Sequence, residues 1–318
     1  MKKTSSKKKA IPISAVILTV LMLASGCAPS SPIDGVATTD TAADHSSAVT
    51  EAGTAVAPPA ALDICVMSYN IAGYAETDDT HKNAVVSMIL KTKPDVAVIN
   101  ETTDAMMAEK TPLSDTYNYV FSSVEGNNVN YLVLYKKDVF KALSDETYCL
   151  SATPDTYSKV SGSYHYRMMT AIKLEHTVSG KQFYMIATHL ENNSSNPDVF
   201  QKRNNARKLQ AKFLLGLIKD KLDASLPVII AGDLNSSDRT DDKFRKGGIS
   251  DILASGMFEN CSAVAKKTAT EFTHLSGISL DHIVVTKGVF SVLEYKVDKS
   301  ETPPSDHHPA IAVIEFKQ

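Results

Sequence analysis

The stretch Val228-Ile229-Ile230-Ala231-Gly232-Asp233-Leu234-Asn235 decides how the chain is read. A short β-branched run closed by Gly-Asp reads as a buried strand that stops at a carboxylate. Asp233 and Asn235 stand two residues apart, where one turn can aim both into a site; an Asx turn accounts for the same spacing. The ending recurs. Cys65-Val-Met-Ser-Tyr runs into Asn70, Val96-Ala-Val-Ile-Asn into Glu101, and Tyr184-Met-Ile-Ala-Thr into His189. Four apolar runs thus deliver metal-competent or proton-transferring side chains at their C-terminal ends. Ligands of α/β proteins bind at that edge, so the four groups are expected to converge.

Further short β-branched and aromatic runs predict strands around these. The expected set is Ile64–Asn70, Val96–Glu101, Tyr131–Tyr135, Met168–Leu174, Phe183–His189, Val228–Asp233, Leu280–Val285 and Ala310–Phe316. Helices are predicted over Asp79–Leu90 and Asn196–Leu222, the second capped by Asn196 with Pro197 in its first turn. Leu209, Phe213, Leu214, Leu217 and Ile218 give it an apolar stripe for packing on a sheet. Strands and helices interleave without a second linker or a repeat, which predicts one α/β domain over 62–318.

The composition, 43% apolar and 22% charged over 318 residues, excludes collagen, coiled coil, disulfide-dense and wholly disordered classes. Residues 1–27 differ from the rest. A Lys-rich start, the apolar run Ile11–Leu23 and Ala24-Ser25-Gly26-Cys27 read as an export signal, the run being short for a membrane span. Its ending resembles a bacterial lipobox, with Cys27 as the lipidated residue, although Leu23 stands one place early. Residues 28–61 are Ala, Ser, Thr, Pro and Asp with almost no large apolar side chain, and read as a disordered tether. An exported protein, lipid-anchored to the cell envelope and monomeric, is expected. Removing the five leader lysines leaves 28 basic residues against 36 acidic, a net of −8, so no broad basic groove for nucleic acid is expected. Cys65, Cys149 and Cys261 remain, an odd number that excludes a disulfide framework; Cys65, in an apolar run, is expected to be buried.

Two more motifs carry chemistry. Ser305-Asp306-His307-His308-Pro309 places a carboxylate beside an imidazole, with Pro304 and Pro309 restricting the backbone. In Leu280-Asp281-His282-Ile283 a carboxylate opens a strand, where it can orient an imidazole base.

Tyr69-Asn70-Ile71, Asn100-Glu101, Thr188-His189-Leu190, Gly232-Asp233-Leu234-Asn235, Leu280-Asp281-His282-Ile283 and Ser305-Asp306-His307-His308-Pro309, in this order, resemble the endonuclease/exonuclease/phosphatase superfamily. Its members include DNase I-like nucleases, abasic-site endonucleases, sphingomyelinases and inositol polyphosphate 5-phosphatases. The resemblance implies a DNase I-like four-layered α/β sandwich, two central mixed sheets flanked by helices, and a divalent cation, Mg²⁺ or Mn²⁺. It implies Glu101 as the main metal carboxylate with Asn70 and Asp306 beside it, oxygen ligands that suit Mg²⁺. His307, held by Asp281, would deprotonate or orient the attacking water. Asp233 and Asn235 would position that water and the phosphate. His189 would donate to a phosphoryl oxygen or protonate the leaving group. Arg167 falls where relatives carry a phosphate-contacting arginine, though a salt-bridged strand arginine fits the place too. Glu125 lies in the region of the acidic partner of His189 without a matching motif.

The implied function is metal-dependent phosphodiester hydrolysis by in-line attack of an activated water, most simply on nucleic acid. The alternatives are a sphingomyelinase-like lipid phosphodiesterase, a small-molecule phosphatase, and a surface binding protein without catalysis. His189 in place of Tyr speaks against the abasic-site branch, and no Pro-Ala-Trp-Cys-Asp-Arg-like stretch supports a 5-phosphatase. The region just after Ser250, as far as Leu280, holds only Phe258 and Phe272 for a membrane-inserting hairpin, and the chain has no Trp, which disfavours a membrane-lipid enzyme.

Overall fold

The computed structural model describes residues 62–73, 78–108, 112–123, 130–151, 159–238, 247–269, 271–299 and 304–317. The expected leader with Cys27, the tether and Glu125 lie outside these residues. In chain order the described elements are β1 (Asp63–Asn70), α1 (Asp79–Thr92), β2 (Val96–Asn100), α2 (Ala105–Ala108), α3 (Leu113–Thr116), β3 (Tyr117–Ser122), β4 (Tyr131–Lys136), β5 (Phe140–Cys149), β6 (Met168–His176) and β7 (Gln182–Thr188). They continue with α4 (Pro197–Lys221), β8 (Val228–Asp233), α5 (Ile249–Ala254), β9 (Phe258–Asn260), α6 (Cys261–Val264), β10 (Lys267–Thr268), β11 (Asp281–Thr286), β12 (Phe290–Val297) and β13 (Ala310–Phe316).

Two mixed sheets result, ordered β10-β12-β13-β1-β2-β4-β3 and β5-β6-β7-β8-β11-β9. Each has a parallel pair near its centre, β1 with β2 and β7 with β8. One apolar layer lies between the sheets, built from residues such as Ile64, Val66, Val98, Ala231, Ile283 and Ala312. The outer face of the first sheet, with Met67, Tyr69 and Ile99, packs on Val85 and Ile89 of α1. The outer face of the second, with Ile186, Ile230 and Val284, packs on Leu214 and Ile218 of α4 and Ile252 of α5. Helix, sheet, sheet and helix make the expected four layers.

The period of two along a strand now places the site. Ile64, Val66, Ser68 and Asn70 alternate onto one face of β1, as do Val96, Val98 and Asn100 on β2. Phe183, Met185, Ala187 and then His189 follow the same rule, as do Ile229, Ala231 and Asp233 on β8 and Asp281, Ile283 and Val285 on β11. The apolar members of these sets line the space between the sheets. Their polar members therefore emerge at one end of that space. The outer faces are apolar and helix-covered, so a one-residue slip would drive Asn70, Asn100 and Asp233 into them without partners, and the register is firmly held.

The helices begin as expected. The Asp78 carboxylate accepts from the backbone N–H of His81 (2.9 Å), and Asn196 Oδ1 accepts from that of Asp198 (2.9 Å). The buried face of α4 keeps Leu214, Leu217 and Ile218 of the expected stripe, but Leu209 is 39% exposed, and Arg207, Gln210 and Ala211 face inward in its place. The face turned because Arg207 and Gln210 hydrogen-bond to the backbone of Glu191 beneath them (2.9 Å each). Cys65 is half-buried on the outer face, not sealed in the core, and its burial together with Asp95 raises the thiol to about 11. All three described cysteines are free. Strands β3, β5, β9, β10 and β12 have no counterpart in the expected set. β5 is an edge strand whose Lys141, Asp145 and Glu146 face water, so it has no apolar run to read.

Gly232 fixes where β8 meets β7. Its φ is +145°, and a Cβ there would lie 1.9 Å from Thr188 O. Gly232→Ala is therefore expected to prevent cooperative folding, read as loss of a thermal transition in the purified domain; a wild-type-like melt would contradict this packing.

Candidate active site

Asn100 joins the two sheets at the polar end of the core. Its Oδ1 accepts the backbone N–H of Asp233 (2.9 Å), and its Nδ2 donates to Thr188 O (3.3 Å). The chain then turns sharply at Glu101, whose φ of +54° is unusual for a non-glycine residue. The turn is stitched to the loop after β1: Ile71 N–H donates to Asn100 O (3.1 Å) and Gly73 N–H to Glu101 O (2.9 Å). Across the gap, Asn70 Nδ2 donates to both Glu101 Oε1 and Asp233 Oδ2, at 3.0 Å each. The amide is held in that sense because its Oδ1 accepts the N–H of Ala72 (3.0 Å). One carboxylate from each sheet thus meets at one amide.

The second half of the site is an imidazole on a carboxylate. His307 Nδ1 donates to Asp281 Oδ2 (2.7 Å), leaving Nε2 3.9 Å from both Asp233 Oδ2 and Asp306 Oδ1. Thr273 sets the pair: its Oγ1 accepts the N–H groups of Leu280 (2.8 Å) and Asp281 (3.1 Å), and its carbonyl accepts that of His308 (2.7 Å). Ser305 Oγ donates to Asn70 O (2.8 Å), tying this loop to β1.

His189 closes the site from the second sheet. Its Nε2 takes a hydrogen from Asn235 Nδ2 (3.0 Å) and lies 3.5 Å from Asp233 Oδ2. Asn235, at φ +49°, also donates to Leu190 O (3.1 Å), while its own N–H bonds Asp233 Oδ1 (2.8 Å). Arg167 lies buried behind them. Its Nε donates to Glu191 Oε2 (3.3 Å), and its Nη1 has no partner.

The imidazoles are pushed in opposite directions. Burial alone would discharge His307, but Asp281, Asp233 and Asp306 outweigh it and raise the ring to about 10. His189, buried with Arg167 and His307 nearby, is held well below its ordinary value and is neutral at pH 7. Burial and the neighbouring Asp281 raise Asp233 to about 6. A buried carboxylate such as Asp233, costly to ionise unaided, is what a divalent cation fits.

The expected site residues Asn70, Glu101, His189, Asp233, Asn235, Asp281 and His307 are gathered within this one end of the sandwich. Among the described residues, Glu101, His189 and Asp233 form one group whose ligand atoms lie within 4.8 Å of one another, and His274, Asp306 and His307 form another. Asp306, at the exposed rim, falls in the second group. Three contributors escaped the sequence reading. Asn100 is the bridge between the sheets. His274 lies with Nε2 3.4 Å from Asp306 Oδ2 and its ring edge-on to His307 at 4.7 Å. Buried Glu191 is the counter-ion of Arg167. Asn100 stands in a motif only as the neighbour of Glu101, and His274 and Glu191 stand in none, because each acts on a partner distant in sequence. Asn100→Leu leaves the Asp233 N–H buried without an acceptor, so a loss of about 1–3 kcal/mol is expected in denaturant unfolding. Unchanged stability would show that the bridge carries no load.

The family model of the Endonuclease/Exonuclease/phosphatase family matches residues 67–307, a span that contains every residue of this site. Among solved structures, an endonuclease/exonuclease/phosphatase family protein from Bacteroides thetaiotaomicron is 17% identical with a TM-score of 0.68, over 81% of this chain and 99% of that one. A mannosyl-6-phosphatase from the same organism is 18% identical with a TM-score of 0.65, over 80% of this chain and 100% of its own. The human Nocturnin catalytic domain, with a bound sulfate anion, is 22% identical with a TM-score of 0.61, over 80% of this chain and 94% of its own. These likenesses are of fold. No curated protein matches the sequence. The match of family model, sandwich and converging motifs makes this chain a member of the endonuclease/exonuclease/phosphatase family, a hydrolase of phosphoester bonds.

Proposed function

We propose that the chain is a phosphodiesterase of nuclease-like specificity, exported and lipid-anchored through Cys27. The observation that carries the chemistry is the meeting of Glu101 and Asp233 at Asn70, directly beside the His307–Asp281 pair. Glu101, Asn70 and Asp233, with Asp306 at the rim, would hold Mg²⁺ or Mn²⁺, whose charge offsets that developing on the phosphoryl oxygens. His307 Nδ1–H stays on Asp281, so the ring presents Nε2 to the reacting water. The Nε2 proton is kept there by Asp233 and Asp306 as well as Asp281, and neutralising the first two frees Nε2 to accept a proton from water. Asp233 and Asn235 frame that water and the phosphate. His189, neutral, suits a hydrogen bond to a phosphoryl oxygen better than protonation of the leaving group. Arg167, whose charge acts on both Asp233 and Glu101, has a free Nη1 for a phosphate oxygen.

Export and anchorage are supported by the basic leader, its short apolar run and Cys27, followed by a polar tether. A second reading, hydrolysis of sugar phosphomonoesters, is favoured by the likeness to the mannosyl-6-phosphatase. Residues 62–318 assayed on DNA, RNA, sphingomyelin and mannose 6-phosphate, with Mg²⁺, Mn²⁺ or EDTA, separate these readings. Metal-dependent nuclease activity is expected, and turnover of the sugar phosphate alone would replace it with the second reading. His307→Ala and His189→Ala are each expected to lower turnover about 10²- to 10⁴-fold with the melting temperature kept. Near-wild-type turnover in either folded variant would remove the role assigned to that residue.

A further inference from the structure

Beside His189 stands a wall made by residues 159–167, and it is not part of the carboxylate cluster. Gly162, at φ +87°, lets this segment lie directly on α4; a Cβ there would come 2.6 Å from Lys202 O. Ser163 Oγ reaches into the buried layer, 2.5 Å from Glu191 Oε2 and 3.2 Å from Gln210 Nε2. The segment is thereby fixed on both sides. Tyr164 nevertheless stays 61% exposed, the most exposed aromatic among the described residues. The Arg203 guanidinium lies over its ring at 5.4 Å, held by Asn192 Oδ1 and by Asn193 O (2.9 Å). The His165 ring meets Tyr164 edge-on at 4.5 Å, and Lys159 sits over Tyr166 at 5.0 Å.

The wall is electropositive in a region that is otherwise acidic. After burial, it is Arg167, Lys159 and Arg203 that keep His165 below its ordinary value, and the buried Glu191 alone among the named neighbours opposes them. His165 is also close enough to bear on His189. An exposed aromatic face with cations around it, next to a phosphate site, matches a ligand that alternates flat π-faces with phosphates. A single sugar phosphate would leave Lys159 and Arg203 without a task. A membrane would leave a tyrosine among charged groups, with no apolar patch beside it among the described residues. In a duplex the base faces are already stacked, so the ligand is single-stranded.

We propose that Tyr164, backed by Arg203, is a stacking platform for a nucleobase of single-stranded nucleic acid whose neighbouring phosphate enters the Glu101–Asp233 site. This rests on the phosphodiesterase reading above. The test is fluorescence anisotropy of a short end-labelled oligothymidylate and of an abasic strand of equal length, with Ca²⁺ as the cation. Wild type, Tyr164→Ala and Tyr164→Phe are compared after a thermal melt confirms each is folded. Tyr164→Ala is expected to weaken oligothymidylate binding roughly 5- to 150-fold, the range for loss of one stacked base. Tyr164→Phe is expected to restore it, and the abasic strand to bind wild type and Tyr164→Ala alike. Equal oligothymidylate affinity of Tyr164→Ala and wild type, an equal loss for the abasic strand, or no binding by wild type would each overturn the platform. Mn²⁺ added to the same strand then tests the underlying reading. Binding without hydrolysis contradicts the phosphodiesterase and leaves the platform standing, whereas hydrolysis indifferent to Tyr164 contradicts the platform alone.

Discussion

Two sheets packed face to face have no backbone hydrogen bonds between them, so something must fix where their polar ends meet. In this protein the Asn100 side chain does so, accepting from Asp233 on β8 and donating to Thr188 on β7. A buried amide with both ends satisfied allows little sliding, because any shift leaves a buried donor or acceptor unpaired. The residue after Asn100 is Glu101, and the residue that Asn100 grips is Asp233. The two carboxylates are therefore set by one side chain, and the Asn70 amide spans the gap that remains. The left-handed backbone at Glu101 is a strained feature, of order 1–3 kcal/mol, sustained by the stitching of Ile71 and Gly73 to it.

The electrostatics follow from that placement. Burial, with Asp281 nearby, makes Asp233 costly as an anion, and its pKa is raised. His307 takes up part of the charge, being surrounded by Asp281, Asp233 and Asp306. His189, with Arg167 behind it, is discharged instead. Two buried histidines thus differ in charge because three carboxylates outweigh burial at His307, whereas burial, with Arg167 and His307 nearby, prevails at His189. The acidic half suits a cation and a water; the Arg167 half suits the phosphate. A single phosphate can be bound this way without a basic groove, which is how a domain with 28 basic against 32 acidic residues over 62–318, a net of −4, can act on phosphoesters.

The site was legible where chemistry coincides with strand ends. Asn70, Glu101, His189 and Asp233 each close an apolar run, and strand alternation alone puts Asn70, His189 and Asp233 on the face between the sheets. Asp281 and His307 were legible because one opens a strand and the other sits in a proline-bounded motif. Asn100 was legible only as the neighbour of Glu101, since its work is done on residues 88 and 133 positions away. His274 and Glu191 were silent for the same reason. Among the elements, the central strands announce themselves by β-branched runs, whereas β5, an edge strand with Lys141, Asp145 and Glu146 exposed, does not. Leu209 misled because apolar spacing cannot register that Arg207 and Gln210 have buried acceptors and donors to meet.

The central claim is that Glu101 and Asp233, brought together by the bridge between the sheets, form a site for a divalent cation. A crystal soaked in Mn²⁺ tests it through anomalous scattering, independently of substrate. A Mn²⁺ peak is expected on the Glu101 carboxylate beside Asn70 and Asp233, lost in Glu101→Gln. A peak only at the exposed Asp306 rim, or none at Glu101 under saturating Mn²⁺, would contradict it.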